Sequence, residues 1–99
     1  MLLVDSIYVN MGGGLSLLKY LVETLQEKGV KFRLMVDVRA DGQFPAVNDV
    51  VILPPSESSR YYFYKEFSQD VTSVFCFGNV PPPVRLNVPV YPYLHILNL

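Results

Sequence analysis

Few residues of this chain have the type and spacing to do chemistry. Gly12, Gly13 and Gly14 run consecutively between an apolar stretch and a strongly helical pattern, in YVNMGGGLSLLKYLVETLQEKG, Tyr8 to Gly29. Glycine weakens a helix or strand interior by about 0.5–1 kcal/mol relative to alanine, so three together predict a turn. That turn is either merely tight, or it lets a polar ligand approach bare peptide N–H groups. In the second case the positive end of the following helix dipole would favour a phosphate or a sugar hydroxyl. Ser16 would cap the helix or donate to the same ligand. The spacing is neither G-x-G-x-x-G nor G-x-x-x-x-G-K-[ST].

His95 is the only histidine. It titrates near neutrality and can move a proton or hold a hydroxyl, although a histidine beside an apolar strand also serves simply as packing. Asp37 ends a predicted strand where a dinucleotide fold places its ribose-binding acid; a solvated strand boundary is the plainer reading. Cys76 lies inside the apolar VFCF and reads as a buried, inert thiol. Tyr61, Tyr62, Phe63, Tyr64 and Phe67 follow one another on a predicted helix, so some must face the core and others solvent or a partner.

The elements that must position these residues follow from periodicity. Met1 to Val9 predicts a buried strand. Leu15, Leu18, Leu21, Val22 and Leu25 make one apolar helical stripe, and Lys28 and Gly29 supply its terminus. Val30 to Asp37 predicts a second strand, VVILPP a third, SESSRYYFYKEFSQD a second helix with serine caps, and Val71 to Gly78 a fourth strand. VPVYPYLHILNL predicts a fifth, despite Pro92, which removes a backbone donor. Strands alternating with helices imply an α/β, Rossmann-like, three-layer domain. Its sheet of about five strands is expected to be mostly parallel, with two main helices and an incomplete C-terminus. The links 38–49 and 78–87 leave the direction of strands three and five open. In a parallel sheet His95 and the glycine turn would share the carboxyl edge, where ligands gather.

Composition narrows the class. Ninety-nine residues, 51% hydrophobic and 17% charged, suit a single core-rich domain. Net charge is −1 with the eight Lys and Arg scattered, which gives no support for nucleic-acid binding. One cysteine excludes an internal disulfide and a multi-cysteine zinc site. The first nine residues lack a basic leader and the length of a membrane span. A cytoplasmic location is expected.

The initial apolar strand, the GGG turn, the leucine-striped helix closing in EKG and the strand opening VKF resemble the N-terminal start of GT-B glycosyltransferases, particularly their retaining branch. VPVYPYLH, Val88 to His95, is similar to a strand of that family ending in a histidine at the interdomain cleft. FGNVPPP, Phe77 to Pro83, is similar to a stretch of bacterial sugar transferases of polysaccharide assembly. The resemblance implies Gly13 and Gly14 beside the donor's diphosphate and His95 near the acceptor or the transferring sugar. It implies a nucleotide-sugar donor and a sugar acceptor for a full-length enzyme, with no cofactor or metal held by this chain alone. It also implies a missing C-terminal donor domain, and in a full-length enzyme a peripheral position at the inner face of the membrane. The chain departs from the family in lacking that second domain and in placing Ile96 after the histidine.

The leading expectation is therefore an N-terminal, acceptor-side fragment of a glycosyltransferase, inactive alone. The rival is a stand-alone α/β binding or assembly module, and either way uncovered apolar surface should favour self-association. A sugar-uptake phosphotransfer subunit would need a nucleophilic cysteine after strand one, where Asn10 and Met11 stand. A half-dehydrogenase would need a different glycine spacing.

Overall fold

The apolar run that opens the chain becomes the central strand of the sheet. In the computed structural model, which describes residues 1–78 and 80–92, β1 spans Leu2–Ser6 and pairs in parallel with β2 (Phe32–Asp37) on one side and β4 (Ser73–Cys76) on the other. β3 (Val50–Leu53) flanks β2, β5 (Val90–Pro92) flanks β4, and the order is β3-β2-β1-β4-β5. All five run parallel, which settles the open directions of strands three and five. The chain is thus a three-layer, Rossmann-like α/β domain, and its strand order reverses between β1 and β4.

Alternation along the strands builds two apolar layers. Val4, Leu34, Val36 and Val50 pack with Leu18 and Val22 of α1 (Gly12–Glu27). Leu3, Met35 and Val74 pack with Phe63 and Tyr64 of α2 (Glu57–Phe67) on the other face. Between β2 and β3 there is no α-helix; a short 3-10 turn, Val38–Ala40, and the loop after it press Ala40, Phe44 and Val47 onto the α1 face instead. The predicted stripe of α1 is buried or partly buried at all five positions. Gly29 ends that helix at φ +68, its N–H donating to Gln26 while the Val30 N–H donates to Leu25. This paired arrangement satisfies carbonyls that a helix end otherwise leaves open. Ser56 caps α2 through the Ser59 N–H.

The glycines depart from expectation. They form the first turn of α1 rather than a separate loop before it. Pro92 is accommodated because β5 pairs only with β4 among the described strands, so the donor it lacks can face away from the ladder. Residues 93–99, His95 included, lie outside the described residues, as does Asn79.

Candidate active site at the carboxyl edge

The link from β1 to α1 turns at the carboxyl edge of the sheet, beside the point where strand order reverses. Tyr8 takes φ +80 there, the only non-glycine residue with positive φ among those described. Such a backbone costs on the order of 1–3 kcal/mol and persists only where neighbours over-determine it. Here they do. The Tyr8 N–H donates to Asp37 Oδ2 at 2.9 Å, and the Val9 N–H closes the turn onto the Ser6 carbonyl at 3.0 Å. Gly78 presses on the same turn after β4: a methyl placed on it would stand 2.5 Å from the Ile7 carbonyl oxygen. Only glycine fits.

Met11 precedes α1 as its cap position but offers no side-chain hydrogen bond, and no acidic residue stands in the first turn. Gly12 takes φ +67, and Gly12, Gly13 and Gly14 are all exposed. A methyl at Gly12 or Gly13 would meet nothing within 4 Å. The positive end of the helix is therefore bare of side chains. Ser16 does not cap it; its hydroxyl donates back to the Gly12 carbonyl at 3.3 Å.

Asp37 is spent on its own neighbourhood. Its buried carboxylate accepts from the Tyr8 N–H, the Arg39 N–H at 2.9 Å, and Arg39 Nε and Nη2 at 2.9 and 2.7 Å. The Arg39 side-chain bond, joined by the backbone donors, outweighs burial and holds its pKa below the usual carboxylate range. It latches the strained turn, and the ribose role loses its acid.

Behind the turn lies a buried ionic network. Asp5 and Arg60 have side chains 2% and 1% exposed. Asp5 Oδ2 accepts from Arg60 Nη2 at 2.7 Å, Arg60 Nε at 3.1 Å and the Tyr64 hydroxyl at 2.7 Å, while Oδ1 accepts from the Ile7 N–H. Arg60 Nη1 donates to both oxygens of Glu57 and to the Pro81 carbonyl, and Nη2 also reaches the Val80 carbonyl. The Tyr8 hydroxyl donates to Glu57 Oε2. Burial pulls the Arg60 pKa down, but Asp5 outweighs it and leaves the guanidinium above its ordinary value. Burial, then Asp5, push the Tyr64 hydroxyl far up. Burial acts against ionising Glu57 too, yet hydrogen bonds from Tyr8 and Arg60 win and its pKa falls. The network ties β1, α2 and the loop after β4 together.

Cys76 is buried, and its thiol is pushed up to about 12 by burial first and the Asp5 charge second. The inert reading holds. The α2 aromatics divide as their spacing requires: Phe63 and Tyr64 are buried, while Tyr62 and Phe67 are largely exposed. A groove of about 600 Å³ lies between β3 and α2 and includes none of Gly12, Gly13, Gly14 or Ser16 in its lining. The glycines thus stand at the predicted edge, while their meeting with His95 falls outside the described residues. Asp5 was legible only as a lone carboxylate in an apolar strand, the signal of a buried cation to come.

Among the described residues no helix is long and apolar enough to cross a membrane. Comparisons of this chain with protein-family models, with curated proteins and with solved structures found no match.

Proposed function

We propose that this chain is the acceptor-side, N-terminal Rossmann-like part of a nucleotide-sugar-dependent glycosyltransferase of the GT-B kind, silent by itself. The observation that supports this reading is the bare first turn of α1. Its glycine amides open the helix reached from the central strand through the turn 7–11, with no side-chain cap, no acid and no glycine Cβ in the way. A diphosphate oxygen approaching there gains N–H donors and the helix dipole together. His95 is assigned the acceptor side of the same cleft, on the sequence resemblance. Asp37, bound to Arg39 and Tyr8, is not available to a dinucleotide ribose, which favours a sugar donor over a redox cofactor.

Sugar transfer needs donor and acceptor held together, and orientation alone is worth about 7–11 kcal/mol of barrier. Half a cleft cannot supply it, so the chain alone should transfer no sugar from a nucleotide donor. The direct test is an amide-resolved NMR titration of the 99-residue chain with uridine diphosphate up to about 10 mM, appropriate to millimolar binding. The Gly13, Gly14 and Leu15 amides should move, and Gly13→Ala should reduce the movement. Still amides at those positions, or steady turnover by the isolated chain, would each refute the assignment.

A further inference from the structure

β3 is an edge strand: it hydrogen-bonds β2 on one side and, among the described strands, has no neighbour on the other. Hollows flank it on both faces, the one beneath α2 mainly apolar and the one on the α1 side edged by Asp41. On the α2 face the groove of about 600 Å³ is floored by Val51 and Leu53 and overhung by Tyr62, Phe63 and Phe67. On the α1 face a hollow of about 330 Å³ is lined by Val50 and Ile52 with Phe44, Pro45 and Val47. Tyr62, Phe67 and Ile52, gathered at this edge, are 66%, 57% and 37% exposed.

A strand added beside β3 would send alternate side chains into the two hollows, so it must be apolar on both faces. Edge strands are blunted by charge, shortness or proline; Val50–Leu53 carries no charge, and its protection is confined to its four-residue length and to Pro54 and Pro55 just beyond it. β3 is itself a strand of the required pattern, with Val50 and Ile52 on one face and Val51 and Leu53 on the other. We propose that a second copy of this chain docks here, β3 against β3 in antiparallel, extending the two sheets into one across a two-fold axis.

The area supports this occupant. The exposed parts of two aromatics, the strand edge and its apolar neighbours come to on the order of 500 Å² per copy. Two copies together reach about 1,000 Å², the lower bound for a specific contact. Of the charged groups lining the groove, Arg33 already pairs with Asp49 at 2.9 Å, while Glu66 stands exposed on the α2 side. The two-fold restricts the register. Directly opposed residues must share a face, so the axis passes through Val51 or Ile52 and sets that residue against its own copy. This inference is independent of the glycosyl-transfer reading, since the groove and the glycine turn share no residue.

Sedimentation velocity from about 1 μM to about 1 mM covers the range of a contact this size. The expected result is a reversible dimer, weakened about tenfold or more by Ile52→Lys and by Tyr62→Glu, the second of which leaves the sheet untouched. Under mild oxidation Val51→Cys or Ile52→Cys should cross-link to itself, whereas Tyr20→Cys, exposed on the outer face of α1, should not. Circular dichroism confirms that each variant is folded. A monomer throughout the range, or a dimer that ignores both substitutions, would overturn the proposal; the first outcome would leave the edge to a different partner.

Discussion

Arg60 shows what a single side chain can hold. Its donors reach Asp5 on the central strand, Glu57 one turn back on its own helix, and the Val80 and Pro81 carbonyls of the loop after β4. A buried ion pair is not by itself a large source of stability, because desolvating both charges offsets the attraction; removing one partner is another matter. Arg60→Ala should cost about 3–5 kcal/mol, leaving Asp5 charged and under-satisfied and freeing the loop. Asp5→Ala should be comparably costly. The double substitution should cost clearly less than the sum of the two, because the second change removes the orphan left by the first. Urea unfolding of the four chains checks this, and strict additivity would mean that the pair does not act as a unit. Beyond the lone carboxylate of Asp5, the pairing was not legible, because Asp5 and Arg60 are 55 positions apart and only the tertiary fold brings the strand and the helix into register.

At the scale of elements, α1 separates the two explanations of its glycines. Gly12 needs its backbone, since φ +67 is a conformation that costs an L side chain about 1–2 kcal/mol. Gly13 does not: it has ordinary φ and open space where a methyl would go. Gly12→Ala should therefore destabilise the domain, while Gly13→Ala should stabilise it by about 0.5–1 kcal/mol. A change of that size raises the melting temperature by a few degrees in a domain this small, and calorimetry reads both. If Gly13→Ala instead lowers stability, the first turn is held by something other than helix geometry and the case for a ligand-ready position weakens. The far end of the same helix was fully legible, because Lys28 and Gly29 announce a terminus by residue type. The near end was not. Glycine runs mark backbone freedom without saying whether the chain spends it before a helix or inside its first turn. The crossover between β2 and β3 was legible as a loop from its Asp-Gly turn and proline, but its role in covering the α1 face depends on Phe44 and Val47 finding α1, which periodicity cannot report.

For the molecule as a whole, strand alternation made the layered class legible, whereas the order of strands had to come from packing. That order predicts how the molecule opens. β1 has a neighbour on each side and buries Leu3 and Val4 completely; β2, next to it, buries Leu34 and Met35 just as fully. Among the described strands β5 pairs only with β4, and all three of its residues are exposed. Amides open with free energies that run from near zero at fraying edges up to the global value in central strands. Native-state hydrogen exchange should find the β1 and β2 amides exchanging only through global unfolding, and Val90 and Tyr91 exchanging at least about a hundredfold faster through local opening. Uniform protection across all five strands would show instead that the sheet opens as one unit. β3 provides the internal comparison. As a bare edge its outward-facing amides should exchange early, at a rate independent of protein concentration; capped by a second copy they should slow as concentration rises, while those of β5 stay fast. The two edges of one sheet would then differ for a physical reason, because one is apolar on both faces and flanked by hollows while the other is a three-residue strand ending in proline.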